Sequence, residues 1–408
     1  MKNRVILHCD CNSFFASVET VLDPAYRDVP MAVAGNTENR HGIILAKNEI
    51  AKRYGIKTAE TVYSAKQKCP DLVLASPHYD EYMKYSELAN RIYSDYTDMI
   101  EPFGIDESWL DVTASGIFGN GMQIAEKIRT RIKKELGITV SIGVSFNKVF
   151  AKLGSDYKKP DAITEISREN FRDVVFPLPV SDLLFVGKRT EAQLRTLGIK
   201  TIGQLAEASP DLLVMKLGKA GAMLSAYARG EDNSPVEATD KSDSKSIGNG
   251  FTFSHDLVGR EECRIGINYL SEEIGTKLRK RGLKCATVQI SIKDEYLRTI
   301  QRNASCDPPT DISEDIANIA FDLLCKTWSP DKPVRMLTVT ATNLLKSDTI
   351  AQQIDFFGNK DDKERERRER REVAVDEIRS KFGSLSITRA SVIGNDIGIG
   401  NGKKRRSE

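Results

Sequence analysis

Three carboxylates stand where they could share a cation. Asp10 follows the apolar run Val5–Cys9 (VILHC), and Asp106 and Glu107 are neighbours in Gly104–Val112 (GIDESWLDV). Adjacent acids anchored by Ile105, Trp109 and Leu110 repel each other in a low-dielectric setting unless a divalent ion or a proton neutralises them. Carboxylates delivered by strand tips suit hard cations such as magnesium, which take oxygen ligands and leave room for substrate phosphates. Two such ions roughly 3.5–4 Å apart can stabilise both the attacking and the leaving oxygen of a phosphoryl transfer. The plainer alternative is a solvated turn, since turns favour Asp for local hydrogen bonding.

The elements that must position these acids are legible in outline. Strand-like runs (Val5–Cys9, Met31–Ala34, Leu72–Ala75) alternate with helical stretches, including Tyr79–Met99. Residues 119–136 read as an amphipathic helix with Ile124, Ile128 and Ile132 on one stripe, followed by the β-branched run Thr139–Val144. Strand, helix, two strands, helix, strand around two acidic tips is consistent with a ferredoxin-like sheet.

Composition narrows the class. A chain of 408 residues suggests two to four domains. No run approaches the roughly 20 apolar residues that cross a bilayer, and the chain starts in a strand-like segment rather than a secretory signal. Seven cysteines (Cys9, Cys11, Cys69, Cys263, Cys285, Cys306, Cys325) form no CxxC pair and suggest reduced thiols in the cytoplasm. A net charge of +2 leaves any nucleic-acid contact to local patches. There is no Walker A sequence, and His8, His41, His78 and His255 are scattered, which argues against a motor ATPase and against histidine–zinc chemistry.

The run DCNSFFASVE from Asp10 to Glu19, with IDESWLD about a hundred residues later, resembles the two catalytic motifs of the Y-family (translesion) DNA polymerases, closest to the bacterial UmuC-like and DNA polymerase IV-like branch. Asn12, Ser13, Phe14 and Phe15 look most like the UmuC-like branch rather than the DNA polymerase IV branch. The resemblance implies an α+β, α/β multidomain right hand with a ferredoxin-like palm. The palm would span 1–30 and 78–176, the fingers 31–77, and a thumb with a helix-hairpin-helix 177–232. A linker at 233–245, a little finger at 246–346 and a clamp-binding peptide with a charged tail at 347–408 would follow.

It also implies site roles. Asp10 and Asp106 would bridge two Mg²⁺ ions, Glu107 would hold the ion at the primer end, and the Cys11 carbonyl would join the nucleotide-side ion. Phe15 falls at the steric gate that excludes a 2′-hydroxyl, next to Phe14, while Lys52 and Lys159 would face the triphosphate. Glu49 departs from the family, where many relatives carry a tyrosine that hydrogen-bonds the triphosphate. Ala46 and Ser13 are small enough to permit a roomy site. Lys148 and Lys152 would lie on a helix near the palm, with Lys148 simply solvated.

Further along, Leu184–Ala206 looks like a helix-hairpin-helix in which Gly187 and Lys188 could meet a DNA phosphate, although Phe185 holds the place of the first glycine in the usual Gly-x-Gly. Residues 231–244 read as a linker. Lys245–Phe251 resembles the opening strand of the little finger. Lys277–Lys284 (KLRKRGLK) is either a solvated helix end or, with Arg298 and Arg302, a track for a phosphate backbone. Gln353, Ile354, Phe356 and Phe357 resemble the peptide that docks on the bacterial sliding clamp. Lys360–Glu372 reads as a solvated helix with i,i+4 pairs, and Gly394–Gly402 with Lys403–Arg406 as a flexible basic end.

The expectation is a monomeric cytoplasmic polymerase acting on primed template DNA with deoxynucleoside triphosphates, without membrane contact. A nucleotide cyclase would leave the hairpin, the basic region and the clamp-like peptide without purpose. A catalytically silent DNA- and clamp-binding factor would leave the acids unexplained.

Overall fold

The computed structural model describes residues 4–35, 42–238, 245–329, 331–349, 360–383 and 386–399. Two units are present, one built mainly from Gly42–Thr239 with the N-terminal 35 residues, the other from Asp240 onward. Gln353, Ile354, Phe356 and Phe357 lie outside the described residues.

In the first unit β1 (Ile6–Cys11) leads into α1 (Phe14–Leu22), followed by β2 (Met31–Ala34), β3 (Ile44–Lys47), α2 (Glu49–Arg53), α3 (Val62–Lys68) and β4 (Val73–Ala75). Then come α4 (Tyr79–Ser94), β5 (Ile100–Pro102), β6 (Glu107–Asp111), α5 (Gly121–Arg131), β7 (Val140–Ser145), α6 (Lys148–Tyr157) and β8 (Ile163–Ile166). Five of the strands form one sheet in the order β5-β6-β1-β7-β8, and β3-β2-β4 form a second, smaller one.

Strand β1 is buried at every position because both its faces are covered. Leu7, Cys9 and Cys11 face a core with Phe14, Tyr82, Ile92 and the stripe Ile124, Ile128, Ile132, whereas Ile6 packs with Trp109 and Ala151 of α6. Since side chains alternate along a strand, His8 and Asp10 share the α6 side with Ile6. Burying each isoleucine of the stripe is worth about 2 kcal/mol relative to exposure. The helix read over 119–136 is regular only to Arg131; a π-turn over Ile132–Leu136 keeps Ile132 fully buried before Gly137 ends it at φ 70°.

Residues after β8 form a helical cluster: α7 (Phe171–Val175), α8 (Lys188–Thr196), α9 (Ile202–Glu207), α10 (Pro210–Leu217) and α11 (Lys219–Ala228). Phe185 adopts φ 69° and is 56% exposed, so this phenylalanine takes the left-handed geometry that glycine would take more cheaply. Gly187 is the N-cap of α8 at φ −82°, with no side chain capping that helix end.

The first half of the expected linker is not loose. Asp232 accepts from Lys148 N, Arg4 donates to Ser234 O, and Val236 is 1% exposed among Ile6, Trp109 and Ala151. A buried valine and these bonds outweigh the polar composition on which the linker reading rested.

The second unit contains β9 (Ser246–Leu257), α12 (Gly259–Lys280), β10 (Leu283–Lys293), β11 (Thr299–Thr310), α13 (Ser313–Thr327), β12 (Val334–Lys346) and α14 (Lys360–Phe382). The strands pair in the order β11-β10-β12-β9. Val288, Ile290 and Ile292 alternate into a core with Ile267, Leu270 and Ile274 of α12, while Gln289 and Ser291 stay half-buried on the other face. Lys245 and Arg302 are exposed, and so is Arg298 in the β10–β11 turn.

Two expectations for this unit are corrected. α14 is solvated on one face only: Arg365 and Glu369 make the expected i,i+4 pair and Glu366, Arg367 and Arg370 are exposed, but Glu372 and Asp376 hold Arg279, Glu369 holds Lys284, and Arg368 pairs with Asp315. Within the run Lys277–Lys284, Arg279 and Lys284 are therefore engaged by acids of α14 rather than solvated. Likewise, Val392, Ile397 and Ile399 are buried in the core and Ser254 N donates to Ile397 O, so the chain from Gly394 to Ile399 is packed rather than flexible, while the rest of the expected basic end, residues 400–406, lies outside the described residues.

Candidate active site

Antiparallel pairing of β1 with β6 sets Asp10 opposite Glu107 and His8 opposite Trp109. On its other side β1 pairs with β7, and α6 lies directly over that strand. A Cβ on Gly143 would come within 1.9 Å of Ala151 O, and one on Gly154 within 3.0 Å of Gly143 Cα. Only glycine at both positions lets helix and strand backbones touch, and that contact brings Lys152 and Ser155 down to the acids.

The cation that the sequence required between the acids is partly supplied by the chain itself. Lys152 Nζ lies 2.6 Å from Glu107 Oε2 and 3.1 Å from Asp10 Oδ2, and Lys159 Nζ lies 2.7 Å from the same Asp10 oxygen. Burial opposes both ammonium charges, yet the facing carboxylates outweigh it and hold both lysines above their ordinary pKa. Burial would also raise Glu107, but the His8 and Lys152 contacts outweigh it and hold the carboxyl at about 2. Asp106 has no ion-pair partner among the described residues; burial, then the charges of Asp10 and Glu107, push it up to about 6.

A cavity of about 480 Å³ opens at this point. Its walls bring together Asp10, Cys11, Asp106, Glu107, Phe14, Phe15, Lys52 and Lys159, with Ser13, Leu45, Ala46, Lys47, Thr58 and Ile105. The sites expected at Gly187, Lys188, Lys245, Arg298 and Arg302 are not part of this cavity. Cys11 N donates to Asp106 O at 2.9 Å, which ties the two motif backbones together. The donor set suits a divalent cation: oxygens on adjacent strands, one carboxylate without a cation, and His8, Asp10 and Glu107 offering ligand atoms within 4.8 Å of one another.

Phe15 stacks on Tyr82 with ring centroids 4.1 Å apart and planes 11° from parallel. Tyr82 is itself fixed, since its hydroxyl donates to Glu19, a buried carboxylate that also accepts from His78 N at 3.2 Å. Phe14 is 3% exposed and belongs to the core, although it borders the cavity. Beside the cavity Glu49 bonds Lys52 Nζ at 2.5 Å and accepts from Ser13 Oγ at 2.9 Å. The acid that departs from the family thus occupies the lysine rather than confronting a phosphate.

The sequence reading missed three parts of this site. Lys148 is not solvated: its ammonium lies 2.7 Å from both oxygens of Glu101 and 4.5 Å from the Trp109 ring centroid. Lys152 reads as a helix lysine of no particular role, and only the Gly143–Gly154 contact shows where it points. His8, set aside as one of four scattered histidines, lies against Glu107; its alternation with Asp10 on β1 was the available signal.

Residues 9–156 match the impB/mucB/samB family, and residues 244–356 match the impB/mucB/samB family C-terminal domain. DNA polymerase IV of Acetivibrio thermocellus is 49% identical over 392 residues, covering 96% of this chain and 98% of the relative. The chain belongs to the Y-family of DNA polymerases. DNA polymerase IV 1 of Bacillus subtilis is 36% identical, covering 96% of this chain and 94% of its own. A solved Y-family DNA polymerase chimera, Dbh-Dpo4(243-245)-Dbh, shares the fold with a TM-score of 0.75 at 24% identity, over 84% of this chain and 99% of that one. These named relatives place the Y-family chain on the DNA polymerase IV side. The four residues from Asn12 to Phe15 are too short a run to separate the branches.

Proposed function

We propose that this chain is a DNA-directed DNA polymerase that extends a primer 3′ end on a DNA template with deoxynucleoside triphosphates, in error-prone lesion-bypass synthesis during DNA repair and the SOS response. The observation that carries the reading is the single cavity in which the three acids meet Phe15, Lys52 and Lys159. The 49% identity to a DNA polymerase IV along nearly the whole chain supports it.

In this reading Asp10 and Asp106 would hold two magnesium ions, with Glu107 helping to hold the one nearer the primer end and the Cys11 carbonyl the one nearer the nucleotide. When bound, the ions stabilise charge on the attacking and leaving oxygens of the phosphoryl transfer. Lys159 and Lys52 bind the triphosphate, which has to draw the first from Asp10 and Asp156 and the second from Glu49. Phe15, braced by Tyr82, forms the floor under the sugar and excludes a 2′-hydroxyl. Gly187 and Lys188 meet one stretch of duplex phosphate, and Lys245, Arg298 and Arg302 another. Gln353, Ile354, Phe356 and Phe357 dock on the bacterial sliding clamp. The division into palm, fingers, thumb and little finger follows the segments given above, and the protein works as a monomer in the cytoplasm.

Primer extension on a primed template with magnesium tests the reading, using each deoxynucleotide and ribonucleotide and comparing wild type with Asp106→Ala plus Glu107→Ala. Extension by wild type alone, with deoxynucleotides alone, is the expected result. Duplex binding without extension under all conditions would leave the DNA- and clamp-binding factor as the better description.

A further inference from the structure

His8 is the buried polar group that the mechanism above leaves unused. It is 0% exposed on β1, two residues before Asp10 and on the same face of the strand. Its Nδ1 lies 2.8 Å from Ser155 Oγ, and its Nε2 lies 3.4 Å from Glu107 Oε2 without closing a hydrogen bond of regular geometry. Trp109 packs edge-on against the ring at 5.2 Å, so the imidazole has no room to turn elsewhere.

We propose that His8 is a positioning residue for Glu107, donating from Nε2 to the carboxylate and fixing the oxygen that faces the cation site, with Ser155 selecting the tautomer that makes this possible. The inference rests on the metal-dependent reading above and deepens it.

The argument is one of protons. Ser155 Oγ is 2.8 Å from both His8 Nδ1 and the Lys152 carbonyl, and its single proton can satisfy only one of them. Donated to the carbonyl, it leaves a neutral imidazole with its proton on Nδ1 and a bare, fully buried Nε2 lone pair facing a carboxylate, an arrangement with an electrostatic cost. Donated to Nδ1, it leaves the proton on Nε2, aimed at Glu107. For the neutral ring this second arrangement satisfies both nitrogens. Lys152 already holds the same Glu107 oxygen at 2.6 Å. When a divalent cation displaces that ammonium, His8 is the donor that remains to keep Glu107 in place. Outer groups of this kind typically contribute 10- to 100-fold to metal affinity.

The test is Mn²⁺ binding to the full chain, followed by electron paramagnetic resonance and calorimetry, on wild type, His8→Phe, His8→Asn, His8→Gln and Ser155→Ala. Phe keeps the ring volume without a donor, Asn is too short to reach Glu107, and Gln places an amide N–H near the Nε2 position. About tenfold or weaker binding by Phe and Asn, recovery by Gln to within about threefold, and a smaller loss for Ser155→Ala are expected. The metal concentration for half-maximal primer extension should shift by the same factors. Wild-type affinity in a folded His8→Phe or His8→Asn chain, or equal losses in Gln and Phe, would overturn the proposal. If His8→Phe does not fold, Ser155→Ala and His8→Gln decide it, since wild-type affinity in Ser155→Ala would leave tautomer selection without support and overturn the proposal as stated. A wild type that binds Mn²⁺ but never extends a primer counts against the polymerase reading and leaves the role of His8 to be judged by binding alone.

Discussion

Two places in this molecule bury clusters of charge, and they resolve it differently. Where α14 meets the second unit's core, opposite charges match. Arg279 lies 3.1 Å from Glu372, 2.6 Å from Asp376 and 2.7 Å from the Asp311 carbonyl, and Glu272 holds both Arg379 and Arg389. Around Asp10, Asp106 and Glu107 the matching stops short: two lysines serve Asp10 and Glu107, and among the described residues Asp106 has no cation. The first cluster is structural. The second keeps an unmet demand for positive charge, which is what a site that must accept and release cations and phosphates requires.

Removing the acids should break the comparison most visibly. Asp106→Asn is expected to lower primer extension by at least about a thousandfold, since a ligand to both ions is lost. The same change should stabilise the metal-free fold at pH 8. Asp106 titrates near 6 in the fold against an ordinary 3.8, so the folded state binds the proton more tightly and stability falls as pH rises from about 4 to about 6. The cost is complete above that window, and Asn avoids it. A gain on the order of 1–2 kcal/mol at pH 8, shrinking toward zero below pH 4, should appear in urea unfolding with chelator present.

At the other cluster Arg279→Met should destabilise the second unit by about 3 kcal/mol, because two carboxylates are left buried without their partner. Denaturant unfolding measures it, and magnesium should not restore the loss. Lys152→Met sharpens the contrast. It should lower the melting temperature of the metal-free protein by a few degrees and regain most of that with added magnesium, which calorimetry can follow. The smallest effect is expected at Glu49→Gln. Freeing Lys52 from an exposed ion pair should lower the KM for deoxynucleotide by about two- to fivefold in steady-state extension, with little change in kcat.

Much of this site was legible because its chemistry is local. Asp10, Asp106 and Glu107 announce themselves as acids at the ends of apolar runs, Phe15 and Lys159 stand in short motifs, and the strand Met31–Ala34 follows from a short apolar run. Polar composition misled wherever a partner distant in sequence supplied the matching charge. Lys360–Glu372 is almost wholly charged and reads as solvated, yet Glu369 and Glu372 find Lys284 and Arg279 some 85 to 93 residues away. The looseness expected of the linker failed over its first half for the same reason in reverse, because a single valine at 236 found an apolar slot, while the boundary between the two units still falls within 233–245.

The sequence alone determined which groups could ligate a cation, bind phosphates and select a sugar, since these are properties of side chains and their immediate neighbours. The tertiary structure decided what stands between them. Strand register set Asp10 against Glu107 and His8 against Trp109, and two glycines let α6 lie on β7 closely enough to bring Lys152 and Ser155 into the site. Those placements depend on distances between segments that are not adjacent in the chain, and only packing fixes them.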